Sequence, residues 1–345
     1  MLENKRIKKS EVPLTKEDFA SDQMVKWCPG CGSHAILAAV DNVFPRIGYK
    51  KENFCVVSGI GCSARFPYYV NTYGFHGIHG RATAIASGVK VANPDLSVWI
   101  ATGDGDSMAI GGNHFIHIIR RNIDVNILLF NNQIYGLTKG QYSPTTPLGT
   151  VTKTSPYGTI EHPFVPAGLV MGAQGTFYAR TVDSNVKHMT DVMYEAAKHD
   201  GTSVVEILQN CVIFADKTHD EVTNKEFREE RQLFLEHGKP MIFGKERDKG
   251  IILDGRRLKV VNLGENGITE KDILVHDMYD HDPGIHRMLG RMMPPEFPIA
   301  LGVIRAANYA TYDDLIEEQI EHAKDSSKIK CVDDLLNSGD TWEID

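Results

Sequence analysis

Residues 103–132 read GDGDSMAIGGNHFIHIIRRNIDVNILLFNN, and their reading decides the fold. The preceding SVWIAT is a short apolar, β-branched run; a helical pattern follows Gly111, and VNILLF is a second buried strand. Strand, loop, helix and strand in that order make a βαβ crossover. The first loop and the end of the second strand of such a unit lie at the same carboxyl edge of a parallel sheet. Asp104 is therefore expected at the end of one strand and Asn132 at the end of its neighbour. One carboxylate, one side-chain amide and a backbone carbonyl suit a hard cation such as Mg²⁺ that also holds a diphosphate. The glycines at 103, 105, 111 and 112 let the backbone approach the anion, and free N–H groups at the helix start can face it.

This stretch resembles the thiamine-diphosphate motif, in which GDG is followed about thirty residues later by an asparagine, often doubled. The resemblance implies that Asp104 and Asn132 bind Mg²⁺, with the carbonyl of Ile134 as a third ligand. Gly105 and Asp106 would lie against the diphosphate. His79 and Arg81, in HGR, are candidates for cofactor contact or for local capping.

With 345 residues the chain is long enough for a large core, and 42% hydrophobic with 24% charged residues is ordinary for a globular protein. A net charge of −8 argues against a general nucleic-acid binder. The N-terminus MLENKRIKKSEVPL is basic without an apolar core, and no run of about 18 apolar residues occurs, so no membrane span is expected and the reading is cytoplasmic.

Outward from the central unit, three organisational units are expected: a polar tail over 1–26, an α/β domain over 27–215, and a C-terminal extension over 216–345 that covers the core and makes subunit contacts. In the domain, FCVVSG, FYARTVD and TSVVEILQNC, which ends on Cys211, read as strands alternating with helices, which gives an α/β, doubly wound, mostly parallel sheet. The loop QYSPTTPLGTVTKTSPYGT is long enough to expect a function for it. In the extension, NKEFREERQLFLEHG reads as a charged helix, IILDGRRLKVV as a hairpin turning at Asp-Gly, and TYDDLIEEQIEHAKD as an amphipathic helix.

Six cysteines stand at 28, 31, 55, 62, 211 and 331. Cys28 and Cys31 flank a Pro-Gly turn, Cys62 sits in a glycine-rich loop, and Cys211 follows a strand. These four can converge on one soft-metal site, zinc or an iron-sulfur cluster, and spacing alone separates neither from the other. Cys55 reads as a core residue and Cys331 as a free thiol.

CPGCG, SGIGCS, HGRATAIASGVKVANPDL, GDGD through YGLTKGQYSPTT, and Cys211 after a late strand occur together and in order. The set resembles the β subunits of 2-oxoacid:ferredoxin oxidoreductases over residues 28 to about 215. The resemblance implies a 4Fe-4S cluster held by Cys28, Cys31, Cys62 and Cys211 beside thiamine diphosphate. It implies oxidative decarboxylation of a 2-oxoacid, with coenzyme A taking the acyl group and ferredoxin the electrons. No catalytic residue is assigned in this chain. The glutamate that activates the thiamine ring is expected on a separate α subunit, in an α2β2 heterotetramer. Arg65 and Lys139 are read as cations for the far carboxylate of 2-oxoglutarate, giving succinyl-CoA; pyruvate, ending in a methyl, needs none. The competing readings are the same chemistry on pyruvate or another 2-oxoacid, a non-redox thiamine decarboxylase or synthase chain, for which the four cysteines would have no evident use, and a zinc- or cluster-binding structural or electron-carrier protein without thiamine chemistry.

Overall fold

The computed structural model describes residues 5–342 and 344. Eight strands form the main sheet: β1 (Phe54–Ser58), β2 (Tyr73–His76), β3 (Ser97–Gly103), β4 (Val125–Asn131), β7 (Phe177–Val182), β8 (Ser203–Leu208), β9 (Gln232–Phe234) and β13 (Ile299–Ala306). Their spatial order is β2-β1-β3-β4-β8-β7-β13-β9. Every neighbouring pair is parallel except β7 with β13. A short hairpin, β5 (Ile134–Tyr135) with β6 (Gln141–Tyr142), follows β4. β10 (Ile242–Phe243), β11 (Lys249–Asp254) and β12 (Arg257–Asn262) make a small antiparallel sheet.

The central strands are buried on both faces, which is why their sequences are continuous apolar runs. Alternate residues feed two cores. Val56, Trp99, Leu128 and Val205 face the helix Ser33–Ile47 and its Ile36, Val40 and Phe44. Cys55, Ile100, Ile127 and Val204 face the opposite side, where Phe115, Val170 and the small sheet close the layer. Cys55 is the core residue its sequence context implies.

The doubly wound parallel sheet is as read from sequence; the flanking segments are more integrated. The N-terminal tail packs on its own chain, with Phe19 against Phe44 and Phe54. Residues 216–345, expected as an extension, add β9 and β13 to the main sheet. QLF, expected in a helix, is strand β9, because pairing with β13 offers it ladder hydrogen bonds that its helical neighbours Arg228–Arg231 cannot. The hairpin turns at Gly255–Arg256 rather than at Asp-Gly, since Asp254 pairs with Arg257; Gly255, at φ 61°, takes the left-handed position. The helix Tyr312–Ser326 forms as expected, rooted where Asp313 accepts the Asp124 N–H at 3.0 Å. Among the described residues no helix is long and apolar enough to cross a membrane.

Candidate cofactor site at the carboxyl edge of the sheet

The loops after β1, β3, β4 and β8 meet at one edge. A cavity of about 220 Å³ opens there, walled by His79, Asp104, Asn132, Ile134, Gly136 and Gln209 among others. The crossover thus brings Asp104 and Asn132 to one hollow, as the sequence implied. Asp104 is buried, and its Oδ2 accepts Ser143 Oγ and Thr145 Oγ1, each at 2.5 Å. Both hydroxyls come from the long Ser-Pro-Thr-Thr loop. Burial pushes the Asp104 carboxyl up to about 6, and these hydrogen bonds only partly offset it. A buried acid aimed at a cavity is stabilised as an anion by a cation placed there, so the residue fits a dication. Asn132 Nδ2 donates to Gln209 Oε1 at 3.3 Å, and Asn132 Oδ1 accepts the Ile134 N–H at 3.2 Å.

Gly105 packs so closely that a Cβ there would lie 2.2 Å from the Tyr135 ring. Tyr135 in turn donates its hydroxyl to the Gly105 carbonyl at 3.1 Å. The other polar residues of the motif have roles the sequence left open. Asp106 accepts four hydrogen bonds: Oδ1 from His79 Nδ1 (2.6 Å), Gly80 N–H (2.7 Å) and Ile60 N–H (3.1 Å), and Oδ2 from Thr102 Oγ1 (2.8 Å). It clamps three loops and holds His79 at the cavity wall, so its own oxygens are taken by protein groups. Arg81 is turned onto the carbonyls of His79, Gly80 and Ile110 at 3.3–3.5 Å, which is local capping.

The four thiols Cys28, Cys31, Cys62 and Cys211 gather beside this cavity. Burial pushes the Cys62 thiol up to about 11, with Cys31, Cys211 and Cys28 adding to the rise; burial likewise raises Cys31, followed by Cys211 and Cys28. Cys62 is therefore within electrostatic reach of the other three, and Cys31 of Cys28 and Cys211. Gly136 stands between two of them: a Cβ there would sit 3.4 Å from Cys211 Sγ and 3.7 Å from Cys62 Sγ. This cradle, lined by sulfur and kept open by a glycine, fits an inorganic group. Among the described residues no three His, Cys, Asp or Glu side chains are grouped to hold a single metal ion. Cys331 is exposed and caps the short helix Val332–Leu336.

Arg65 and Lys139 are both exposed and neither walls the cavity. The Arg65 charge reaches Cys62, where it favours the thiolate. Sequence reasoning did not find Ser143, Thr145, Tyr135 or Gln209. Only the Ser-Pro-Thr-Thr loop carried a signal, in its length. It also did not single out Glu206, a charge inside the apolar run SVVEIL, which is itself a signal of a buried polar network.

The parallel sheet, the crossover and the acid-amide pair at its carboxyl edge define a thiamine-diphosphate-binding domain, and residues 59–207 match the family model of the thiamine pyrophosphate enzyme C-terminal TPP binding domain. The chain is 46% identical to 2-oxoglutarate oxidoreductase subunit KorB of Mycobacterium tuberculosis, across 100% of this chain and 92% of that one. It is 41% identical to 2-oxoacid:ferredoxin oxidoreductase 2, subunit beta, of Aeropyrum pernix, across 64% of this chain and 69% of that one. The chain belongs to the β subunits of the 2-oxoacid:ferredoxin oxidoreductases. Among solved structures it is similar to 2-oxoglutarate:ferredoxin oxidoreductase from Magnetococcus marinus with 2-oxoglutarate, coenzyme A and succinyl-CoA bound; the TM-score is 0.77 at 28% identity, covering 97% of this chain and 100% of that one.

Proposed function

We propose that this β subunit, completed by an α subunit in an α2β2 enzyme, oxidatively decarboxylates 2-oxoglutarate with coenzyme A to succinyl-CoA and CO₂, and passes the electrons through a 4Fe-4S cluster to ferredoxin in the cytoplasm. The observation that carries the reading is the shared wall: Gly136 and Cys62 border both the cavity that holds Asp104 and Asn132 and the group of four thiols. Thiamine diphosphate supplies the carbanion chemistry of decarboxylation when bound. Asp104 and Asn132, with the Ile134 carbonyl, would hold Mg²⁺ and through it the diphosphate. Ser143 and Thr145 fix the Asp104 carboxylate, and Asp106 fixes His79 at the wall, where its ring can meet the diphosphate.

Cys28, Cys31, Cys62 and Cys211 would ligate the cluster. Membership in the 2-oxoacid:ferredoxin oxidoreductases, whose chemistry must pass electrons on, favours the cluster over a redox-inert zinc ion. The choice of 2-oxoglutarate over pyruvate is supported by the names of the relatives and by the Magnetococcus enzyme's ligands, while Arg65 and Lys139 are exposed cations on the loops that carry Cys62 and follow Asn132.

The test is anaerobic co-purification of both subunits followed by assay. The expected result is iron, thiamine and ferredoxin reduction that requires 2-oxoglutarate and coenzyme A together. Preference for pyruvate would overturn the substrate, and zinc in place of iron would overturn the redox reading.

A further inference from the structure

Gln209 is the one side chain in the described site that touches a candidate ligand of each cofactor. It follows β8 and is 1% exposed. Its N–H donates to the Asn131 carbonyl at 3.0 Å, which extends the β4–β8 pairing and fixes its backbone. Its Oε1 accepts Asn132 Nδ2 at 3.3 Å. Its Nε2 donates to Ser33 Oγ at 2.6 Å and to Cys31 Sγ at 3.6 Å.

The orientation of this amide follows from its neighbours. Asn132 Oδ1 takes the Ile134 N–H, so Asn132 presents its amino group to Gln209. Gln209 must then turn its carbonyl to Asn132 and its amino group to the sulfur. The space is reserved for it: a Cβ on Gly32 would lie 2.7 Å from Gln209 Cγ.

An N–H donor to a ligating sulfur stabilises the extra negative charge of a reduced cluster and raises its potential. A cation that draws on Asn132 Oδ1 polarises the Asn132 amide, strengthens its bond to Gln209 and, through the conjugated amide, strengthens the bond to Cys31. We propose that Gln209 is a positioning residue that couples the two cofactor sites: occupancy by Mg²⁺ and thiamine diphosphate raises the cluster's reduction potential. By linkage, one-electron reduction of the cluster tightens the hold on the diphosphate by the same factor. The enzyme then retains its cofactor while the electron waits for an acceptor. The inference rests on the proposed function, because it takes Asn132 as a metal ligand and Cys31 as a cluster ligand.

The experiment is an anaerobic redox titration of the assembled enzyme with dithionite, read by electron paramagnetic resonance of the reduced cluster. It is run with Mg²⁺ and thiamine diphosphate bound and after their removal by chelation, for the parent, Gln209→Met and Gln209→Glu. The parent is expected to be easier to reduce when loaded, by threefold to tenfold in the reduction equilibrium; tenfold is about 59 mV for one electron. Gln209→Met loses both bonds, so its potential falls and no longer responds to loading. Gln209→Glu keeps an acceptor for Asn132 but has no donor for the sulfur. With iron and thiamine retained, its potential should be lowered and should not respond to loading, whereas a merely structural role would leave the potential of intact sites unchanged. Equal potentials for the loaded and stripped parent overturn the inference whether or not the variants fold. An unshifted potential in a Gln209→Met enzyme with full iron and thiamine overturns it too. A parent lacking iron or thiamine overturns the proposed function instead.

Discussion

Replacing Glu206 by glutamine removes one charge from the middle of the sheet and, on the geometry, costs about 3–5 kcal/mol. Glu206 sits on β8, buried between β4 and β7. Its Oε2 accepts Arg180 Nε at 2.6 Å and the Tyr178 hydroxyl; its Oε1 accepts Asn131 Nδ2 at 2.7 Å. Burial pushes its carboxyl up, but Arg180 and the three hydrogen bonds outweigh burial and hold it below the ordinary 4.5. Arg180 is equally buried; its Nη2 reaches the Gly290 carbonyl at 2.9 Å, while its Nη1 has no partner. Glutamine would leave that guanidinium uncompensated and turn an amino group on one donor set or the other.

Urea unfolding of the chain, followed by the fluorescence of tryptophans including the core residue Trp99, measures the loss. The double variant Glu206→Leu/Arg180→Met removes both charges and should recover most of it, to within about 1–2 kcal/mol of the parent, because a buried pair contributes little net stability over apolar packing. The gap between parent and Glu206→Gln should be fully present above about pH 4.5 and close as the pH falls through the lowered carboxyl value, since only the ionised Glu206 stabilises the fold. The network also reaches the site: Asn131 Oδ1 lies 2.9 Å from Thr145 Oγ1, which holds Asp104. Affinity for Mg²⁺ and thiamine diphosphate should therefore stay reduced in the double variant although stability returns. A Glu206→Gln chain within about 1 kcal/mol of the parent, or a double variant no more stable than the single, would refute the reasoning.

Serine at Cys28, Cys31, Cys62 or Cys211 should lower the iron content of the assembled enzyme, while serine at Cys55 or Cys331 should leave it unchanged; iron analysis of the six variants decides. Gly136→Val, which puts two methyl groups against the Cys62 and Cys211 sulfurs, should lower iron as well, whereas Gly88→Ala, a helical glycine with open space around it, should not. Asp104, raised to about 6 by burial, must lose its proton to bind a cation. Calorimetric affinity for Mg²⁺ and thiamine diphosphate should therefore fall by about tenfold per pH unit below 6 and level off above it, and a flat profile from pH 5 to 8 would place the metal elsewhere. Arg65→Ala should lower kcat/KM for 2-oxoglutarate by about tenfold or more if the guanidinium grips the far carboxylate, a charge-assisted bond being worth about 1.5–3 kcal/mol. An equal loss on pyruvate would assign Arg65 to the shared chemistry, in keeping with its reach to Cys62.

The parallel core was legible because its strands are buried on both faces. SVWIAT and VNILLF have no polar face to misplace, and the length of chain between them admits only a crossover. QLF was not legible, because three residues beside a charged helical pattern carry no strand signal of their own; β13, some sixty residues later, supplies the partner. The Asp-Gly turn failed for a similar reason: either Asp254-Gly255 or Gly255-Arg256 can form a two-residue loop, and cross-strand register chooses between them.

The site divides along the same line. Asp104 and Asn132 could be brought together on paper because a single crossover separates them, and the same edge rule applies to the loops bearing Cys62 and Cys211. The residues that orient them come from elsewhere in the chain: Thr145 from the long loop, Glu206 from inside β8 and Gln209 from its end. Each of these reads locally as an ordinary residue of its segment, and only pairing across β4 and β8 brings Gln209 to both Asn132 and Cys31. A motif therefore names the atoms that can bind a cofactor. The angles at which they bind, and any coupling between two cofactors, depend on the sheet register that places Leu208 beside Asn131 and the next residue, Gln209, between the two sites.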